Sequence, residues 1–159
     1  FDPRFTHDLI GFNFKTAELH AAIAIPQVKR ADAIVRARQH NVRTLNEKLE
    51  PFSDIFQLPP YSDEVSYLAY PLVIRDGRWS RKKIMKALGV AGVETRPLFG
   101  CIPTQQPAYR FLKERYEGRL PHADFAGENG FYIGCHQYLE QDHMDHVAEA
   151  FSALVRKGP

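Results

Sequence analysis

Four places in the sequence carry side chains whose type and spacing suit chemistry. Asn13 and Lys15 lie in Gly11–Ala24, GFNFKTAELHAAIA, where Phe12 and Phe14 can anchor a loop around the asparagine. Taken alone, Asn13 is as well suited to a turn before the next helix as to binding a ligand. Arg96 lies near the end of the run Val93-Glu94-Thr95-Arg96-Pro97, where a guanidinium either meets solvent or offers its fork to an anion. Cys135 and His136 are neighbours, but adjacent strand residues point to opposite faces, which excludes a nucleophile–base pair. His143 and His146 are three residues apart on a helix and could share a metal. They lie on its polar side with Asp142 and Asp145, and no third ligand has suitable spacing, so a solvated face is expected and no metal. No glycine-rich phosphate loop of the P-loop or dinucleotide type is present.

The elements that must hold these residues follow from periodicity. Thr16 is a good N-cap for a helix whose Ala17, Leu19, Ala21, Ala22, Ile23, Ala24 and Ile25 are apolar nearly all round. Such a helix belongs inside something large, and the rest of the chain offers it too few apolar neighbours. Pro26 should kink or end it. A long amphipathic helix follows, with Val28, Ala31, Val35, Arg38, Val42, Leu45 and Leu49 on one seam. Arg38 is expected to lay its stem on the core and keep its charge in water. Tyr67 to Arg75 reads as a strand, with Pro71 marking an edge or bulge. Ser80 should cap a helix over 81–88 closed by Gly89, and Val93 to Leu98 a second strand. Further helices are expected after Pro107 and Pro121, with Tyr109, Leu112 and Tyr116 sharing a face of the first. A brief strand over 131–135 follows. Met144, Val147, Ala148, Phe151, Leu154 and Val155 then stripe a last helix that stops before Gly158.

Composition sets the bounds. The chain has 159 residues, 44% hydrophobic and 25% charged, which is globular and long enough for a core. A net charge of +2 gives no electrostatic case for nucleic acid or an anionic membrane. Cys101 and Cys135 make neither a disulfide framework nor a metal spacing, so reduced thiols in the cytoplasm are expected. The longest uninterrupted apolar run, 21–25, is far too short to span a bilayer, and no signal peptide is visible. The chain opens on Phe1, as a processed or excised segment would. Long helices followed by alternating strands and helices make an α+β fold.

The pattern G-F-N-F-K-T-A-E-L-H-A-A-I resembles the segment that follows the cofactor lysine in DegT–DnrJ–StrS sugar-nucleotide aminotransferases, enzymes of the aspartate-aminotransferase fold that use pyridoxal phosphate (PLP). Two later segments match in order: VETRPLFGCIPTQQPAY (93–109) and LPHADFAGENGFYIGCHQYLEQDHMDHVAEAF (120–151). The resemblance implies that residues 1–26 are a remnant of the large domain and 27–159 the small C-terminal α+β domain of a fold-type I PLP enzyme. It implies that Asn13 reaches across a homodimer interface to the PLP phosphate, with Lys15 beside it where an arginine is usual. Lysine there keeps the charge but loses bidentate geometry. Arg96 and His136 would line the nucleotide-sugar site; Gln137-Tyr138 replaces the usual Pro-Gly after the histidine.

No catalytic residue is expected within these 159 residues, because the lysine that carries PLP lies upstream in the family. The implied activity of the full-length protein is amino transfer, with glutamate as donor, to a nucleotide-linked keto-deoxysugar in polysaccharide or glycoside biosynthesis. The isolated chain would be inactive. Two alternatives stay open. A PLP-dependent sugar 3-dehydratase shares this C-terminal architecture and is told apart only by a histidine in place of that lysine. A non-catalytic binding module derived from the fold would be a stable monomer.

Overall fold

The computed structural model describes residues 16–98 and 107–159. They form two compact units, one ending at Asp32 and the other running Ala33–Pro159.

In the first unit, helix α1 (Glu18–Lys29) starts after Ala17 rather than at Thr16, and no side chain caps it. Pro26 lies inside it and does not end it. Its ring suits the helical φ, so the helix gives up one N–H bond and continues for three residues. The break comes at Arg30, whose N–H turns back to the carbonyls of Gln27 and Val28. None of α1 is buried: Leu19, Ile23, Ile25 and Val28 are exposed by 70, 58, 56 and 73%. Its apolar faces find no cover among the described residues.

The second unit is built on a four-stranded antiparallel sheet in the order β1-β2-β4-β3. Helix α2 (Ala31–Leu49) carries the C-terminal part of the expected seam, with Val42, Leu45 and Leu49 buried, whereas Ala31 is exposed and Val28 lies in α1, also exposed. A 3-10 turn through Pro51 ends it and leads to β1 (Phe56–Gln57), a two-residue strand too short to show a period. Strand β2 (Tyr70–Ile74) alternates as it should, with Tyr70, Leu72 and Ile74 buried. Pro71 does not put this strand at the edge of the sheet: β2 pairs on both sides. However, β1 reaches only Val73 and Ile74, so beside Pro71 that flank is unpaired, which is what a residue without an N–H needs.

Helix α3 (Arg81–Val90) runs past Gly89, and Ser80, although extended, makes no side-chain cap. The glycine that closes it is Gly92, at φ +83, where only glycine is unstrained. Then come β3 (Thr95–Pro97), a 3-10 stretch Pro107–Leu112 running into α4 (Lys113–Tyr116), and α5 (Pro121–Asn129). The 3-10 geometry breaks the single helical face expected for Tyr109, Leu112 and Tyr116. Strand β4 (Gly130–Ile133) inserts between β2 and β3, so these two do not form a simple strand–helix–strand pair. At Gly130 a Cβ would sit 2.4 Å from the Ala126 carbonyl oxygen, so the turn from α5 into β4 requires glycine. Helix α6 (Gln141–Lys157) closes at Gly158.

The core lies on one face of the sheet. Tyr70 is opposite Ile133 and Leu72 opposite Phe131, and these join Ile84 and Leu88 of α3 and Met144, Phe151 and Leu154 of α6. Phe151 packs edge-on to Phe56 at 5.3 Å and stacks on Phe52 at 6.4 Å. Burying each such side chain contributes roughly 1.5–3 kcal/mol. That fixes α6 and β4, whose facing ends carry the candidate site.

Candidate functional site

Where β3 and β4 meet the first turns of α6, an open cavity of about 470 Å³ forms. Leu68, Val93, Leu139 and Val147 give it apolar walls, and Glu94, Arg96, Tyr132, His136, Asp142, His143 and His146 give it polar ones. Arg96 and His136, 40 residues apart in sequence, thus open on one space. Antiparallel pairing causes this: Thr95 is opposite Ile133 and Arg96 opposite Tyr132, so β3 presents its arginine beside the end of β4.

Arg96 is not a bare cation. Its Nε and Nη2 donate to Glu94 Oε1 at 3.1 and 3.0 Å. That bond, with the Glu94 charge and the Tyr132 phenol, raises its pKa further. Residues two apart on extended chain share a face, so the pairing follows from local geometry. Both side chains are exposed, and an incoming anion competes with Glu94 for the guanidinium.

His136 follows β4 and is exposed, while Cys135 before it is fully buried, an alternation that continues past the end of the strand. The Tyr138 N–H donates to His136 Nδ1 at 3.3 Å, which leaves Nε2 as the donor of the neutral ring. Burial pushes the Cys135 thiol up to about 11, so it is no nucleophile at neutral pH.

His143 and His146 hold structural bonds rather than forming a purely solvated face. His143 Nδ1 accepts the Glu140 N–H at 3.0 Å, and the Glu140 side chain caps the helix in return. His146 Nε2 lies 2.7 Å from the Ala91 carbonyl oxygen and ties α6 to the end of α3. Among the described residues, no group of three or more His, Cys, Asp or Glu is arranged to hold a metal.

The cavity thus sets donors (Arg96 and the His136 ring) against acceptors (Glu94 and Asp142) over an apolar floor. That mixture suits a hydroxyl-rich ligand such as a sugar better than a bare phosphate. No lysine lines it, and with Arg96 balanced by Glu94 it offers no phosphate cradle among the described residues. Asn13 and Lys15 lie outside the described residues. What the sequence did not reveal is Arg38. Its guanidinium is not left in water but donates to the Tyr67 and Leu68 carbonyls and to Gln137.

The profile of the DegT/DnrJ/EryC1/StrS aminotransferase family matches residues 1–152. The chain is 29% identical to a dTDP-4-dehydro-2,6-dideoxy-D-glucose 3-dehydratase of Saccharopolyspora spinosa, over 99% of the chain and 34% of that protein. It is 27% identical to a GDP-4-keto-6-deoxy-D-mannose 3-dehydratase of Escherichia coli O55:H7, over 94% and 39%. With a GDP-perosamine synthase of Caulobacter vibrioides the identity is 24%, over 97% and 42%. The chain therefore spans about two fifths or less of these relatives. In fold it is similar to the Helicobacter pylori aminotransferase PseC, with a TM-score of 0.81 at 21% identity over 94% of this chain and 40% of that one. It is also similar to a GDP-4-keto-6-deoxymannose-3-dehydratase holding a trapped PLP-glutamate geminal diamine, with a TM-score of 0.74 at 21% identity over 94% and 39%. No helix among the described residues is long and apolar enough to cross a membrane.

Proposed function

The chain belongs to the DegT/DnrJ/EryC1/StrS aminotransferase family, and from that premise we propose that it is the C-terminal part of a PLP enzyme acting on a nucleotide-linked keto-deoxysugar. The observation that carries this reading is the family match over residues 1–152, which runs through the cavity's Arg96 and His136. PLP supplies an electron sink for carbanion chemistry next to the sugar's keto group. Its anchoring residue belongs to the remainder of the protein, and Asn13 and Lys15 approach its phosphate from a second subunit of a homodimer. In this chain Arg96 and the His136 Nε2–H orient the sugar nucleotide, while Leu68 and Val147 keep water from its apolar face.

Between the family's two reactions, removal of the sugar's C-3 hydroxyl is favoured over amino transfer from glutamate. The 3-dehydratases reach 26–29% identity to this chain and the GDP-perosamine synthases 24%. Lys15 stands where an arginine is usual, a departure that is also seen in related PLP-dependent sugar dehydratases, and it points the same way. The test is product analysis. The whole protein, PLP, glutamate and a GDP- or dTDP-linked 4-keto-6-deoxysugar are incubated and the sugar product is examined by NMR. A product lacking the C-3 hydroxyl supports the proposal, a product carrying a new amine supports amino transfer, and unchanged sugar contradicts both.

A further inference from the structure

We infer that Arg38 and Asn41 of α2 are positioning residues for the ligand of this cavity, holding its two rims at a fixed separation. The inference rests on the proposed nucleotide-sugar reading of the site. One rim is the segment before β2, with Leu68 and Ala69; the other is the segment after β4, with Gly134, Cys135 and His136. Neither rim is held there by the sheet, since β2 begins at Tyr70 and β4 ends at Ile133.

The Cys135 thiol reaches the Tyr67 carbonyl across the gap at 3.8 Å, a weak bond, and the stronger bonds come from α2. Arg38 Nη1 donates to the Tyr67 carbonyl at 3.0 Å and the Leu68 carbonyl at 3.3 Å, while its Nε donates to Gln137 Oε1 at 3.3 Å. One planar guanidinium therefore bridges both rims. Asn41 Nδ2 donates to the carbonyl of His136 at 2.8 Å and, more weakly, of Cys135 at 3.4 Å. Asn41 is 4% exposed, and a buried carboxamide on a helix's core side is costly unless satisfied. An apolar residue would serve the core at that position; the amide serves the His136 backbone. Loss of either clamp lets the His136 ring and the Leu68 wall shift, and small misplacements of a binding group reduce affinity steeply.

The whole protein, reconstituted with PLP, tests this with Arg38→Ala, Arg38→Lys and Asn41→Ala. GDP- and dTDP-linked 6-deoxyhexoses are titrated calorimetrically, PLP is followed by its absorption, and hydrogen exchange is read over residues 134–138. The expected result is a loss of sugar-nucleotide affinity of about tenfold or more in Arg38→Ala and Asn41→Ala. The PLP spectrum stays unchanged, exchange over 134–138 is faster, and Arg38→Lys partly recovers affinity because it keeps a donor for the carbonyls. Should Asn41→Ala fail to fold, the half-buried Arg38 carries the test. Unchanged affinity in Arg38→Ala overturns the inference, as does an equal loss of PLP binding, which would mark a general structural defect. If the unaltered protein binds neither probe, the functional reading fails; hydrogen exchange then judges the clamp, and unchanged protection in both variants overturns it.

Discussion

Glu94 Oε1 lies 3.0 Å from Arg96 Nη2 at the rim of the cavity, so the one arginine among its described lining residues is held by a carboxylate two residues before it in the chain. An anionic ligand that approaches the Nε–Nη2 edge of the guanidinium competes with that carboxylate, which lowers what it gains there.

Glu94→Gln should therefore tighten binding of a sugar nucleotide, by up to about fivefold because the exposed pair is weak. Arg96→Ala should loosen it by more. Titrations of the whole protein at low and high salt check both, and the Glu94→Gln gain should shrink as salt rises. Equal affinities for the unaltered and Glu94→Gln proteins would mean that the ligand's anion does not meet Arg96.

Stability should fall in acid through two aspartates. Lys48 bonds Asp145 and holds its carboxyl below the usual range, joining α2 to α6, and Arg78 does the same for Asp76. With folded pKa values depressed, the folded state binds fewer protons than the unfolded one. The stabilisation is present above the ordinary aspartate range, about pH 4, and is lost as pH falls through it towards the lower folded values. Thermal melts of Asp145→Asn should lie slightly below those of the unaltered chain at pH 7 and converge with them in acid. A gap that persists at low pH would assign the loss to packing instead.

Cys135 should resist alkylation. It is fully buried, and with a pKa of about 11 only about one thiol in a thousand ionises at pH 8. In a Cys101→Ser background, intact mass after iodoacetamide treatment should show no adduct on the native protein and full modification in denaturant. Fast labelling of native protein would mean that the β4 end opens.

Helix α1 offers a fourth check. Leu19, Ile23, Ile25 and Val28 are exposed on several faces of the helix, and such apolar surface favours self-association when left uncovered. The 159-residue chain alone should associate in sedimentation, and Ile23→Glu should suppress this. In the whole protein, where the proposed large domain covers α1, the same substitution should lower the melting temperature. A monomeric chain with an unaffected whole protein would support the stand-alone module.

Much of the fold was legible in the residues. The stripe ending at Val155 and the seam through Val42 and Leu45 recur at helical spacing, and their burial follows. Strand β1 was not legible, because two residues have no period; its place depends on Phe56 meeting Phe131 and Phe151. Nor was the course of α1 through Pro26, since a proline's cost is local and surrounding good helix formers outweigh it. In the site, the juxtaposition of Arg96 with His136 rested on the family resemblance, because antiparallel register between residues so far apart leaves no local mark. The Glu94–Arg96 bond had a signal, alternation on extended chain. Arg38 looked like a charge destined for water because its acceptors are carbonyls of Tyr67 and Leu68, which any sequence would supply.

Whether this chain completes a PLP site for a nucleotide-linked keto-deoxysugar can be read from a single titration. The whole protein is loaded with PLP and its absorption is followed while the keto-deoxysugar nucleotide is added after glutamate. The expected result is a saturable change in the PLP band that needs both reagents and shifts to higher sugar concentration in Arg96→Ala. A protein that takes up no PLP, or a band that ignores the sugar nucleotide at every concentration, would contradict it.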